Sequence, residues 1–287
     1  MKNKVVVFGE MLWDCLPSGA VPGGAPMNVA LNLHQLGLDS RLISAVGKDA
    51  HGEKLLDFLK SFDLPLNLIQ EISNHETSKV LVDDTDKENI KYTIVSPVAW
   101  DFIQWNQEMD ETVSNADAFI FGTLGVRNAE SLGTLIQLLQ HQVVRIFDAN
   151  LRPPHYDFEI IEKLLKHTDI LKINADELVI FADYFNVDRS IESLCVYLDQ
   201  QFPIDLICIT QGSKGAAIYQ KDKMISHAGY KVQVEDSIGA GDAFLSGFVM
   251  GYLNKKSLEE TLDFACKLGA FLTTKKGGTP RYSLDVI

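Results

Sequence analysis

Basic residues are scarce in this chain. Its 287 residues carry 26 Lys and Arg against 39 Asp and Glu, a formal charge of −13. Binding a polyanion takes clustered cations that release counterions. The densest basic groups are the pairs Lys255-Lys256 and Lys275-Lys276, which argues against a nucleic-acid partner. A small anionic substrate is not, since a few local donors outweigh a global charge. Cysteine is scarce as well. Cys15, Cys195, Cys208 and Cys266 form no C-x-x-C pair, which argues against a disulfide framework or a zinc site and for a reduced, cytoplasmic setting. His34, His51, His75, His141, His155, His167 and His227 lie far apart with no H-x-x-x-H spacing. No run approaches the roughly 20 apolar residues that span a bilayer, so no membrane partner is expected. Val5 to Phe8 is too short for the core of a signal peptide, and Glu10 and Asp14 break the apolar character of the next residues. Serine-nucleophile chemistry lacks its G-x-S-x-G elbow. No Walker A sequence occurs, and Phe244 stands where a dinucleotide fingerprint starting at Gly239 needs glycine.

What remains is a globular chain. Hydrophobic residues make up 46% and charged residues 23%, which rules out intrinsic disorder. The length exceeds the roughly 250 residues at which one core stops growing. It predicts one large domain with an appended piece, or two domains. Short apolar runs alternate with amphipathic stretches. Strands are expected at Val5 to Gly9, Arg41 to Val46, Ala118 to Phe121, Val143 to Phe147, Ile170 to Ile173 and Leu206 to Ile209. Helices are expected at Pro26 to Leu36, Gly52 to Phe62, Ala129 to Gln140, Glu159 to Lys166, Asp176 to Tyr184 and Ser190 to Gln201, with two more at Gly241 to Leu253 and Ser257 to Thr274. This alternation predicts a mostly parallel sheet covered by helices on both faces. Two segments break the rhythm. Residues of about 77 to 95 read as a hairpin around the polar turn Asp83 to Asn89, a small lid joined by residues near Met11 to Val21. Ala216 to His227 reads as a second hairpin with its turn at Lys221-Asp222.

Several glycine-rich or polar spots can carry chemistry, and each also has a plain structural reading. Asp236-Ser237-Ile238-Gly239-Ala240-Gly241-Asp242 follows a strand-like run, Tyr230 to Val234, and opens an apolar helix. Glycines there let main-chain N–H groups converge where the helix dipole favours an anion. Asp242 would repel a phosphate unless it has another task, such as accepting the proton of a hydroxyl that attacks it; otherwise it is a first-turn acid that suits the dipole. Gly23-Gly24 to Asn28 permits close backbone approach and a donor–acceptor amide for a polyhydroxylated ligand, or is an ordinary loop-to-helix turn. Asn174 to Glu177 reads as a capping box, or as a carboxylate holding water on Mg²⁺. Arg152, in Asp148 to Pro154, can reach a phosphate or form a surface ion pair. Thr210 to Gly215, Lys276 to Thr279, and Gly122 with Gly125 are strand-end or turn glycines that line a crevice or simply turn the chain.

Together these segments resemble the ribokinase-like (PfkB) family of carbohydrate kinases, and its fructokinase branch in particular. Gly23-Gly24 to Gly37, Asp148 to Arg152, Asn174 to Glu177 and Asp236 to Asp242 carry the resemblance in the family's order across almost the whole chain. Ser96 to Asp101, after the hairpin, is also similar to fructokinase members. The resemblance implies a three-layer α/β/α sandwich with a mostly parallel sheet and a small β lid. It implies one kinase domain over residues 1–287, with lid strands at about 11–21 and 77–95. It also implies ATP-dependent phosphorylation of a small sugar at a primary hydroxyl, D-fructose to fructose 6-phosphate first. A 2-keto-3-deoxygluconate, ribose or nucleoside kinase, or a non-catalytic sugar sensor, are the alternatives.

Carried over by position, Asp242 is the catalytic base. Gly239, Ala240 and Gly241 form the anion hole. Asp14, Gly24, Asn28 and Arg152 bind the substrate. Asn174, Glu177, Thr210, Gly212 and Gly215 serve the nucleotide, with Glu177 holding Mg²⁺ through water. Asp236 and Ile238 resemble a monovalent-cation (K⁺) site, and the lid suits a homodimer. Ser237-Ile238 departs from the usual Thr-Ile or Thr-Thr but keeps the hydroxyl. Ala25-Pro26 stands where ribokinases proper have Lys-Gly, which leans away from ribose.

Overall fold

A computed structural model describes residues 2–16, 19–83 and 91–287. Its main sheet has nine strands in the order β13-β12-β11-β10-β9-β8-β1-β4-β5. The central strands β1 (Lys4–Phe8), β4 (Asp39–Gly47), β8 (Ala118–Gly122), β9 (Val144–Asp148), β10 (Ile170–Asn174) and β11 (Leu206–Thr210) run parallel, with β5 (Ile69–Ile72) parallel at one edge. At the other edge β12 (Ala216–Gln220) and β13 (Lys223–His227) add as an antiparallel hairpin. Its turn sits at Lys221-Asp222, both with positive φ, as the sequence predicted.

The near-continuous apolar runs follow from burial on both faces. Val5 and Val7 point into one core, Val6 and Phe8 into the other. The first core is covered by α1 (Ala25–Gln35), α2 (Ala50–Ser61), α8 (Ala240–Leu253) and α9 (Leu258–Thr273). The second is covered by α3 (Gln107–Ser114), α4 (Ala129–Leu138), α5 (Phe158–Leu165), α6 (Ala175–Phe185) and α7 (Ile191–Gln201). This is the expected three-layer arrangement. Helix α1 stops where expected: Gly37 takes φ 88°, Leu38 N–H donates to Leu33 O and Gly37 N–H to His34 O, which makes a Schellman motif.

A second sheet, ordered β3-β2-β6-β7, is built from β2 (Leu12–Leu16), β3 (Gly19–Gly23), β6 (Lys79–Asp83) and β7 (Lys91–Ile94). The lid segments expected near Met11 to Val21 and at about 77–95 therefore meet here, whereas Ala216 to His227 extends the main sheet. The predicted hairpin turn after Asp83 lies outside the described residues. Trp13 Nε1 donates to His51 O at 3.0 Å and ties β2 to α2. On the far side, Arg127 forks onto Asp101 at 2.7 and 2.9 Å and lies over the Trp100 ring, pinning the segment after β7 to the end of β8.

Tyr230 to Val234 corrects one expectation. It is not a strand. Its apolar side chains alternate, but β13 already closes the sheet edge, and Val232 and Val234 face solvent.

Candidate active site

Helices α1 and α8 pack side by side on one face of the main sheet, and their first turns meet. Each opens on a glycine in a conformation that L side chains avoid. Gly24 has φ 112°, and a Cβ there would lie 2.6 Å from Glu10 O. Gly239 has φ 76°, and a Cβ there would lie 2.6 Å from the α-carbon of Gly278. Pro26 suits the first turn of α1, where an N–H has no intrahelical partner. One turn in, Asn28 Nδ2 donates to Asp242 Oδ2 at 2.8 Å, joining residues 214 apart in sequence. Asn28 Oδ1 is buried without a partner among the described residues.

The start of α8 has no side-chain cap. The Ala240 N–H closes a turn onto Ser237 O at 3.3 Å. The N–H groups of Gly241 and Asp242 find no acceptor among the described residues. Asp236 shapes the loop before them. One oxygen accepts the Ile238 N–H and the other the Gly277 N–H, both at 3.0 Å. Gly278 therefore sits between the glycine turn and Asn28.

Asp242 keeps some exposed surface, yet its carboxylate lies deep enough that desolvation raises its pKa to about 6. The Asn28 bond, Lys172 and Arg152 oppose that rise, and Asp148 adds to it. Glu10, just beyond β1, is pushed further by burial, to about 7, against the pull of Arg152. Asp14 is raised by burial and lowered by Arg152. Its carboxylate lies against Gly23. Arg152 is exposed and makes no ion pair among the described residues, so a surface ion pair does not account for it. Asp14, Gly24, Asn28, Arg152 and Asp242 thus converge, with Glu10 among them.

Asn174 and Glu177 form the expected capping box. Asn174 Oδ1 accepts from the N–H groups of Asp176 and Glu177, both at 2.9 Å, and Glu177 Oε2 accepts the Asn174 N–H at 2.8 Å. The other Glu177 oxygen accepts the Leu151 N–H at 2.8 Å, which binds the Arg152 loop to α6. Burial raises the Glu177 pKa, and Lys172 holds it down. Thr210 ends β11 beside Asn174 in register, and Gly212 and Gly215 follow it in a tight turn with φ 56° and 87°. The residues expected to hold nucleotide therefore lie along the ends of β10 and β11, and Lys172 acts electrostatically on both Glu177 and Asp242.

Sequence reasoning missed Glu10 and Lys172, and gave Gly278, in Lys276 to Thr279, no role beyond a turn or crevice glycine. The lysine carried a signal, a lone cation inside the apolar strand Ile170 to Asn174. A cavity of about 350 Å³ lined by Thr123, Arg127, Asn128, His155 and Tyr156 lies near the Arg152 loop, but Asp14, Asn28 and Asp242 do not line it. No group of three or more His, Cys, Asp or Glu suited to a metal occurs among the described residues. Among them, no helix is long and apolar enough to cross a membrane.

Known proteins are similar to this chain over nearly its whole length. Fructokinase-2 of Zea mays is 29% identical over 310 residues, covering 97% of this chain and 90% of its own length. Fructokinase of Escherichia coli is 27% identical over 309 residues, covering 96% and 95%. The crystal structure of fructokinase with bound ATP from Xylella fastidiosa superposes with a TM-score of 0.86 at 22% identity, covering 97% of this chain and 94% of that one. The fold is therefore ribokinase-like. The profile described as "pfkB family carbohydrate kinase" matches residues 18–283, and the chain belongs to that family.

Proposed function

We propose that the chain phosphorylates a primary hydroxyl of a small sugar with ATP, and that D-fructose to fructose 6-phosphate is its reaction. One observation carries the reading: the Asp242 carboxylate, held by Asn28, stands beside main-chain N–H groups with no other partner among the described residues. In this reading Asp14, Gly24, Asn28 and Arg152 bind the sugar. The orphan Asn28 Oδ1 accepts from one of its hydroxyls, which removes an unpaired buried acceptor. Asp242 takes the proton of the attacking hydroxyl as its oxygen bonds to the γ-phosphorus and the bond to the ADP oxygen breaks. The N–H groups at Gly239 to Gly241, and the positive end of the α8 dipole, meet the charge on the transferring group. Of the three, the Gly239 and Gly241 N–H groups have no acceptor among the described residues.

Thr210, Gly212 and Gly215 line the ATP groove, with Asn174 and Glu177 at its phosphate end. Both Glu177 oxygens already accept one main-chain N–H, and each has a further lone pair for a water, so the residue fits outer-sphere Mg²⁺. Mg²⁺ supplies charge neutralisation on the phosphates. The Asp236 loop, closed onto Gly277, fits a monovalent cation such as K⁺ near Ile238. The four-stranded sheet is the lid over the sugar, inserted in a single domain spanning residues 1–287. Val21 and Leu81, 36% and 49% exposed, suit pairing of two lids in a homodimer. Sedimentation should show a dimer that Leu81→Asp dissociates. The setting is cytoplasmic.

An ADP-release assay over fructose, other ketoses, ribose, nucleosides and sugar acids tests the substrate. Fructose should give the highest kcat/KM. A second reading, a sugar-acid kinase, draws on the unpaired Arg152, which would meet a carboxylate; preference for 2-keto-3-deoxygluconate would establish it instead. The base must be ionised, and burial raises its pKa, so kcat/KM should fall on the acid side with a midpoint near 6. A midpoint near the ordinary aspartate range would remove Asp242 as a desolvated base.

A further inference from the structure

Lys172 has no task in the mechanism above, and its side chain is only 7% exposed. A buried ammonium is costly unless paired. Strand alternation places it on the same face of β10 as Ile170, the face that α8 covers. Its register partner on β9 is Asp148, and Nζ donates to both carboxylate oxygens at 2.9 and 3.1 Å. The same Nζ stands 3.4 Å from where a Cβ on Gly241 would be. The cation therefore lies directly beneath the first turn of α8. Burial lowers its pKa, but Asp148, Glu177 and Asp242 more than offset this, and it stays charged.

The charges around that turn show why a cation matters. Asp148 acts electrostatically on both Glu177 and Asp242, and raises the pKa of each. Glu10 adds a fourth group from the β1 side. Against them stand Lys172 and Arg152, and of these two only Lys172 is buried. A transferring phosphoryl group would otherwise meet an acidic rim in a region of low dielectric, where repulsion is strongest.

We propose that Lys172, clamped by Asp148, is a positioning residue for phosphoryl transfer, whose fixed charge beneath Gly241 is the counter-ion of the Asp242 carboxylate and offsets the acidic rim of the amide cradle. This rests on the kinase reading above. The two partners predict opposite effects on Asp242. The groups facing it are Asn28 on α1, Glu10 after β1, Asp148 on β9, Arg152 beyond β9 and Lys172 on β10, with Glu177 on α6 acting on Lys172, and only one is changed in each variant. Lys172→Met removes a positive charge and leaves Asp148, so the acid limb of kcat/KM moves up by about one pH unit or more. At about pH 8 its kcat falls roughly 10- to 100-fold while the sugar KM stays within about threefold. Asp148→Asn removes the negative charge and keeps the lysine, so the limb moves down. Lys172→Arg keeps the charge and leaves the limb in place.

A lysine that merely stabilised the fold would lower Tm without moving the limb in opposite directions. Should Lys172→Met fail to fold, Asp148→Asn and Lys172→Arg still decide. A carbon-13 NMR titration of the Asp242 carboxyl, assigned with Asp242→Asn, reads the same displacement without turnover. If the wild type phosphorylates no sugar, the kinase reading falls while the titration still judges Lys172. An Asp242 titration unmoved by Asp148→Asn, or moved in the same direction by Lys172→Met, overturns the proposal.

Discussion

Asp242→Asn should lower kcat by about 10²- to 10⁴-fold, the usual contribution of a positioned base, and leave the sugar Kd within a few fold. The substitution changes one atom and keeps the volume. An asparagine oxygen can still accept the Asn28 Nδ2–H that now reaches Oδ2 at 2.8 Å, so the sugar side of the site keeps its shape. What is lost is the proton acceptor. An amide cannot take up the hydroxyl proton, and its nitrogen presents donors where the attacking oxygen needs an acceptor. Stability should hold or rise, because a carboxylate whose pKa burial lifts to about 6 is poorly solvated in the folded state. Single-turnover ADP release and calorimetric sugar binding check the two halves separately. A wild-type rate in the variant would remove Asp242 from the chemistry. Tight sugar binding with no turnover even in the wild type would establish the non-catalytic sensor instead.

The parallel sheet was legible because its strands are buried on both faces, so each appears as an unbroken apolar run between amphipathic helices. The elements that escaped lack that signature. Strand β5, Ile-Gln-Glu-Ile, is a half-buried edge strand with two polar residues in four. Helix α3 turns only Met109 and Val113 inward and is otherwise acidic and polar. Tyr230 to Val234 failed in the opposite sense. Its period of two is real, but a strand also needs a partner, and a sequence does not show which edges a sheet has left open. The same limit applied to the second sheet. Two strand-like segments some 60 residues apart were visible as interruptions, whereas the parallel pairing of Trp13 to Cys15 with Lys79 to Leu81 comes only from the fold.

Around the site, the glycines and Asp242 were legible through the conformations and charges that a helix start favours. Asn28 was legible as an amide, and its contact with a carboxylate from the far end of the chain was not. Lys172 was obscured by the reading that found its strand, and Asp148 was legible only as the start of the Arg152 segment. Scoring apolar runs treats a single charge as noise, yet two opposite charges at register positions of neighbouring buried strands are the signature of an internal ion pair. Glu10 lay in a loop between two assigned strands, and only its burial marks it.

Gly239→Ala should damage both stability and turnover. A left-handed conformation costs a non-glycine residue about 1–2 kcal/mol, and φ here is 76°. Gly37→Ala bears the same cost at φ 88°, with nothing within 4 Å of the added Cβ. It therefore serves as the control: Tm lower by several degrees at about 2–4 °C per kcal/mol, and kcat unchanged. Position 239 adds a collision. The new Cβ would lie 2.6 Å from Gly278 Cα and 2.7 Å from Gly278 O, main-chain atoms that cannot swing aside as a side chain would. Gly278 has little room behind it, because it already packs on the Asn28 amide. The strain must therefore move the amide turn, the Asp236–Gly277 tie or Asn28, and each of these sets the position of Asp242. A misplacement of about 1 Å in a reacting group costs roughly 100-fold in rate, so kcat should fall by that order while Tm drops further than in the control. Equal losses of stability in both variants, with kcat intact in both, would show that the close approach of Gly239 to Gly278 does not position the phosphoryl-transfer turn.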